Sequence, residues 1–195
     1  MARLIAHRGP DGSDIWHDQH AGLAHTRLAI IDLSDAGRQP MRDFEGRFTL
    51  TYNGEIYNYR ALRDELIAAG HHFRTETDSE VILNGYREWG EAVVDRLRGM
   101  FAFALWDGRD RQLFVARDRT GQKPLFFARH NDVFLFGSEI KTILTWPGFP
   151  RQANTDALHQ YLTYQYVMPP ASAFKGVEEL PPAHVLTVAP DGEVR

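Results

Sequence analysis

Phe101-Ala-Phe-Ala-Leu-Trp106, the turn Asp107-Gly-Arg-Asp110 and Gln112-Leu-Phe-Val-Ala-Arg117 together decide the fold. Two apolar runs joined by so short a turn make antiparallel neighbours, because a parallel crossover needs a dozen or more intervening residues. The first run has no polar alternation, so both of its faces must be covered. Downstream, Leu125 to Ala128 and Val133 to Phe136 repeat the arrangement around a turn at Arg129 to Asp132. Upstream, Phe48-Thr-Leu-Thr-Tyr52 alternates strictly, Trp16 to His25 holds a further hairpin, and Leu28 to Asp32 reads as a short buried strand.

Helices alternate with these runs. Leu62, Leu66 and Ala69 form the apolar stripe of a helix over Tyr59 to Ala69, with Asn58 as the expected N-cap and Gly70 as its stop. Thr77 and Glu80 have capping-box spacing ahead of a helix through Val81, Ile82 and Tyr86, ended by Gly90. A short helix is expected over Ala92 to Leu97, one from Ser138, and one from Asn154 to Tyr166. A last hairpin follows around Pro190-Asp-Gly192. No repeat, low-complexity tract or linker interrupts residues 1–195, which read as one α+β domain of antiparallel sheet with helices outside.

Composition narrows the function. Of 195 residues, 43% are apolar and 25% charged, which suits a packed core, and the net charge of −4 disfavours nucleic acid or an anionic membrane as partner. No apolar run approaches a membrane span, and Met1-Ala-Arg-Leu-Ile-Ala-His lacks a signal-peptide pattern, so a cytoplasmic address is expected. Cysteine is absent, which excludes disulfides, thiolate metal sites and a cysteine nucleophile from these residues. Nine histidines include no His-Glu-x-x-His, and strand alternation would separate His17 from His20, so no metal site is expected. Neither a Gly-x-Ser-x-Gly elbow nor a phosphate-cradling glycine loop occurs.

Three positions allow both a plain and a chemical reading. Asn53-Gly54 after an alternating strand fits a type I′ turn; equally, an Asn amide beside a glycine N–H can aim two donors at one oxyanion. Arg27, set among apolar residues, needs an anionic partner, either a structural carboxylate or a ligand. Asp78, between Thr77 and Ser79 at a helix start, reads first as a simple helix cap.

Read in order, nine motifs carry a resemblance. They are His7-Arg-Gly-Pro-Asp-Gly12, Arg27-Leu-Ala-Ile-Ile-Asp32, Gln39-Pro-Met41, Asn53-Gly-Glu-Ile-Tyr-Asn58, Thr77-Asp-Ser-Glu-Val81, Leu97 to Asp107, Ala116 to Leu125, Ser138-Glu-Ile-Lys141 and Phe174 to Pro182. The chain resembles the class II glutamine amidotransferase domain of glutamine-hydrolysing asparagine synthetases. That resemblance implies an N-terminal-nucleophile fold: a four-layer αββα sandwich of two stacked antiparallel sheets. It implies attack of an N-terminal Cys thiolate on the glutamine side-chain amide, with the α-amine as base, and delivery of ammonia to an ATP-using synthetase domain or subunit that amidates aspartate. Carried over by position, Asn53 and Gly54 would form the oxyanion hole, Arg27 would hold the glutamine α-carboxylate, and Glu55 and Asp78 its α-ammonium. Cofactors would be none in this domain, with ATP and Mg confined to the synthetase part; a homodimer is compatible.

Two departures from the family pattern stand out. The Cys-bearing first strand and the Ser-Gly-Gly-x-Asp-Ser pyrophosphate loop are both missing, so a domain cut at both ends, inactive by itself, is expected. Smaller departures, Gln122 and Phe126-Phe127, touch packing. The alternatives are a non-catalytic glutamine-binding or structural domain, as in β-lactam synthetase-like relatives, and another class II amidotransferase such as glucosamine-phosphate synthase. The Phe174 to Pro182 segment favours the asparagine synthetase branch.

Overall fold

A computed structural model describes residues 1–32 and 34–195. The decisive stretch folds as β5 (Gly99–Asp107) and β6 (Gln112–Arg117), antiparallel and joined at Asp107. They occupy the middle of a five-stranded sheet ordered β10-β6-β5-β4-β3, whose other members are β3 (Met41–Arg42), β4 (Phe48–Ile56) and β10 (Val185–Val188). A three-stranded sheet, β8-β7-β9, is built from β7 (Phe126–His130), β8 (Val133–Gly137) and β9 (Glu178–Glu179). The hairpin of β1 (Gly12–His17) and β2 (Gly22–Arg27) stands apart as a two-stranded sheet.

The unbroken apolar run of β5 is explained by what lies on each side. Phe101, Phe103 and Leu105 pack with Leu62 and Leu66 of α1 (Tyr59–Ala68) and with Val81 and Ile82 of α2 (Ser79–Trp89). Ala102, Ala104 and Trp106 face the second sheet, against Leu125, Leu180, Phe134 and Phe136. Beyond that sheet, Ala128 and Leu135 meet Ile143 of α4 (Ile140–Ile143) and Phe149. The order helix, sheet, sheet, helix is the four-layer αββα sandwich that the resemblance implied. A one-turn α3 (Val93–Arg96) leads into β5. The last helix, α5 (Thr155–Tyr164), buries only Ala157, and Leu162 at its end is 81% exposed.

Asp118 and Arg117 tie β5, β6 and the second sheet together. The Asp118 carboxylate accepts N–H bonds from Phe101, Thr120, Gln122 and Lys123. The buried Arg117 guanidinium donates to the carbonyls of Gly121, Lys123 and Leu180 and pairs with Glu179 at 2.7 Å. Each of its N–H edges is therefore used, which is what makes a buried arginine tolerable.

Several local expectations are corrected. Asn53-Gly54 is no turn: both lie inside β4, opposite Ala102 and Phe101. Leu28 to Asp32 forms no strand, and Leu28 and Ile30 are exposed, because β2 ends at Arg27 and the chain then lines a cavity mouth. Asn58 sits at the N-cap of α1, but its amide bonds Arg96 O and Arg98 N instead, bracing the entry to β5. Thr77 and Glu80 make no capping box, since the Glu80 carboxylate turns back to the N–H groups of Arg74 and Thr75 and the Thr75 hydroxyl. The helix expected from Ser138 is a single turn from Ile140, and α5 ends at Tyr164 because Gln165 takes a left-handed conformation.

Candidate active site

The outer half of β4 is the frame of the site. Phe101, opposite Gly54, turns its backbone groups toward Asp118: its N–H donates to Oδ2 and its C=O accepts the Asp118 N–H. Gly54 and Phe101 are thus a non-hydrogen-bonded pair, and by antiparallel alternation the N–H groups of Tyr52, Gly54 and Ile56 all point away from β5. The first is taken by Gln39 Oε1 at 2.7 Å and the third by Asp78 Oδ2 at 2.9 Å. The Gly54 N–H between them finds no acceptor among the described residues. Glycine is required there, because an added Cβ would collide with Met100 O and stand 2.8 Å from the Cα of Phe101.

Asn53 and Glu55 project from the opposite side of the strand to Tyr52 and Ile56, on the face toward the second sheet. Neither side chain is hydrogen-bonded among the described residues, and both line a cavity of about 1210 Å³. An amide N–H and a backbone N–H, adjacent in sequence and unclaimed, are the two donors that an oxyanion hole requires.

Asp78, at the start of α2, is buried and makes no cap bond. One oxygen, Oδ2, accepts both the Ile56 N–H and the Tyr52 hydroxyl, the latter at 2.6 Å. Burial, followed by the neighbouring Asp78 charge, pushes the Tyr52 phenol far above its ordinary pKa, so it remains a donor. Arg27, at the end of β2, pairs with no carboxylate among the described residues. It donates to the carbonyls of Asp32 and Ser34. Those neutral acceptors orient the guanidinium without cancelling its charge. Gly37 makes the room: an added Cβ would lie 2.5 Å from Arg27 Nη2. Two residues before Arg27, the His25 imidazole is pushed down to about 4, by burial first and then by the Arg27 charge, and lies 3.4 Å from Thr51 Oγ1.

Arg27, Asn53, Gly54, Glu55 and Asp78 therefore line one cavity, which brings a guanidinium and two carboxylates to the same space. Four contributors escaped the sequence reading. Gln39 and Gly37 lie in a loop with no periodicity, Tyr52 reads as an ordinary core position of an alternating strand, and His25 is one of nine histidines. Only the Gln39-Pro-Met41 motif carried any signal.

A family model described as "Glutamine amidotransferase domain" matches residues 1–195. The chain belongs to the glutamine amidotransferase family. Over 195 residues the domain is 44% identical to "Asparagine synthetase [glutamine-hydrolyzing] 3" of Bacillus subtilis (strain 168), covering 98% of this chain and 32% of that protein. It is 40% identical to "Asparagine synthetase [glutamine-hydrolyzing] 1" of the same organism, covering 100% of this chain and 30% of that one. The amidotransferase domain thus spans about a third of the length of the curated relatives it matches. Among solved structures it is similar to a glutamine phosphoribosylpyrophosphate amidotransferase from B. subtilis, with TM-score 0.59 and 20% identity over 89% of this chain and 34% of that one. At that identity the likeness concerns the fold alone.

Proposed function

We propose that this domain binds glutamine and releases ammonia from its side-chain amide, in the service of an ATP-dependent synthetase that amidates aspartate. The observation that carries the reading is the pair of unclaimed donors, the Asn53 amide and the Gly54 N–H, beside a cavity that Arg27, Glu55 and Asp78 also line. Glutamine carries a carboxylate, an ammonium and a polarisable amide, so each feature has a counterpart. The names and lengths of the 40–44% identical relatives support the synthetase context.

In this reading a thiolate attacks the amide carbon of glutamine and a C–S bond forms. The oxygen becomes an oxyanion held by Asn53 and Gly54. Collapse breaks the C–N bond, the nitrogen takes a proton and leaves as ammonia, and water then cleaves the glutamyl thioester to glutamate. No cysteine occurs in the 195 residues, so the thiolate must come from outside them. The same fact favours a second reading, glutamine binding without turnover.

The two are separated by adding an N-terminal Cys-bearing strand. The 195-residue chain alone should release no ammonia above background, whereas the extended protein should do so. In the extended protein Asn53→Ala should lower kcat by roughly 10²–10³ with little change in KM, because the oxyanion exists only in the transition state. A raised KM at unchanged kcat would make Asn53 a plain substrate contact. An extended protein that binds glutamine but never turns it over would establish the second reading.

A further inference from the structure

We propose that Tyr52 is a positioning residue of the glutamine site: its buried hydroxyl and the Ile56 N–H together fix the Asp78 carboxylate so that its other oxygen faces the cavity for the ligand ammonium. The inference rests on the reading of Asp78 as an ammonium-binding group and deepens it.

The geometry is specific. Both bonds, 2.6 Å from the Tyr52 hydroxyl and 2.9 Å from the Ile56 N–H, converge on Oδ2, while no described residue donates to Oδ1. Asp78 lines the cavity although the residue as a whole is only 5% exposed. A carboxylate in that position could rotate about its Cβ–Cγ bond. Two donors on one oxygen, one of them a strand N–H, prevent this and leave the second oxygen for the cavity.

The tyrosine ring belongs to the core between β4 and the helices, packed among Leu50, Ile56, Phe101 and Phe103. Its position is therefore set by packing, and the hydroxyl meets Asp78 at the start of α2, the helix that packs on the same face. Phenylalanine would fill the same ring volume and lose only the hydroxyl. A tyrosine kept solely for packing would have no use for that oxygen, since burying a hydroxyl costs free energy unless it is bonded. The raised phenol pKa agrees with a group that donates at all physiological pH values.

The test compares two ligands on the 195-residue chain by calorimetry: glutamine, and its analogue 4-carbamoylbutanoate, which lacks the α-ammonium. Tyr52→Phe should weaken glutamine by roughly three- to tenfold while leaving the analogue's affinity within twofold, the size of one modest hydrogen bond. Asp78→Asn should discriminate in the same sense and more strongly. Adding Tyr52→Phe to Asp78→Asn should produce little further loss of glutamine affinity.

A merely structural role would weaken both ligands equally, or neither, and would overturn the proposal. Because the comparison is made within one variant, partial loss of folding lowers the binding stoichiometry and not the ratio of affinities. If Asp78→Asn itself leaves glutamine binding unchanged, the ammonium role of Asp78 fails. If Asp78→Asn weakens glutamine selectively and Tyr52→Phe does not, only the positioning role of Tyr52 fails.

Discussion

Gly37→Ala should cost the domain most of its glutamine affinity while leaving it folded. The added Cβ would stand 2.5 Å from Arg27 Nη2 and 3.1 Å from Thr77 Cγ2. Ordinary contact begins about 1 Å further out than the first of these, so the guanidinium must move by about that much. The Gly37 backbone lies in a short right-handed turn over Asp35–Gly37, which alanine can adopt. Displacing Arg27 strains its bonds to the carbonyls of Asp32 and Ser34, about 1 kcal/mol each. Replacing glycine at a compatible position returns roughly 0.4–1 kcal/mol through the unfolded chain. The net change in stability should therefore stay within about 2 kcal/mol. Binding is more exposed, because a two-pronged guanidinium–carboxylate contact worth roughly 1.5–3 kcal/mol tolerates little misplacement, giving a Kd roughly 10- to 150-fold higher. Glutamine titration by calorimetry, with thermal unfolding in parallel, reads both. Wild-type affinity in Gly37→Ala, alongside a large loss in Arg27→Ala, would refute the argument from space. Wild-type affinity in both would remove Arg27 from the site.

Gly54→Ala should destabilise the fold by roughly 2–4 kcal/mol, because the clash is with strand backbone that cannot step aside; chemical denaturation measures it, and a loss under 1 kcal/mol would contradict the close approach. Arg117→Ala should cost roughly 3–5 kcal/mol by stranding three carbonyls and Glu179, with a matching fall in Tm. For His25 the folded pKa of about 4 lies below the unfolded value of 6.5, so between these the unfolded chain binds the extra proton. Its contribution is complete above pH 6.5 and is lost as pH falls toward 4, by at most roughly 3 kcal/mol. Denaturation midpoints across that window should flatten in His25→Asn, and an unchanged slope would show that His25 is not the group responsible.

The layers were legible because burial leaves a mark on every residue of an element. The short, unbroken apolar run of Phe101 to Trp106, bounded by turn residues, fits a strand covered on both sides, and the stripe of Leu62 and Leu66 marks the helix face turned to the core. The candidate site residues Arg27, Asn53, Gly54, Glu55 and Asp78 were picked out by residue type and order, and all five line one cavity. What could not be read was how they are held. Asn53-Gly54 has the composition of a tight turn, yet β5 continues beside it for two more pairs, and long-range pairing overrides turn preference. Asp78 has the position of a cap, yet its partners are Tyr52 and Ile56, more than twenty residues away. Leu28 and Ile30 look like core, but β2 ends at Arg27, whose guanidinium binds the carbonyls of Asp32 and Ser34, and both apolar side chains are exposed.

The three outward N–H groups of β4 have an evolutionary consequence. The N–H groups of Tyr52 and Ile56 are taken by Gln39 and Asp78, and that of Gly54 between them by no described residue, so donors two residues apart serve different clients from a single straight edge. Inserting or deleting one residue between Tyr52 and Ile56 would swap the edge and ladder roles of every group beyond it and turn Asn53 or Glu55 to the other face. The segment can change its side chains but not its length. Among homologous sequences, length variation should be absent from 52–56 and free to accumulate in hairpin ends such as Gly108–Arg111, where an extra residue shifts no register within the site.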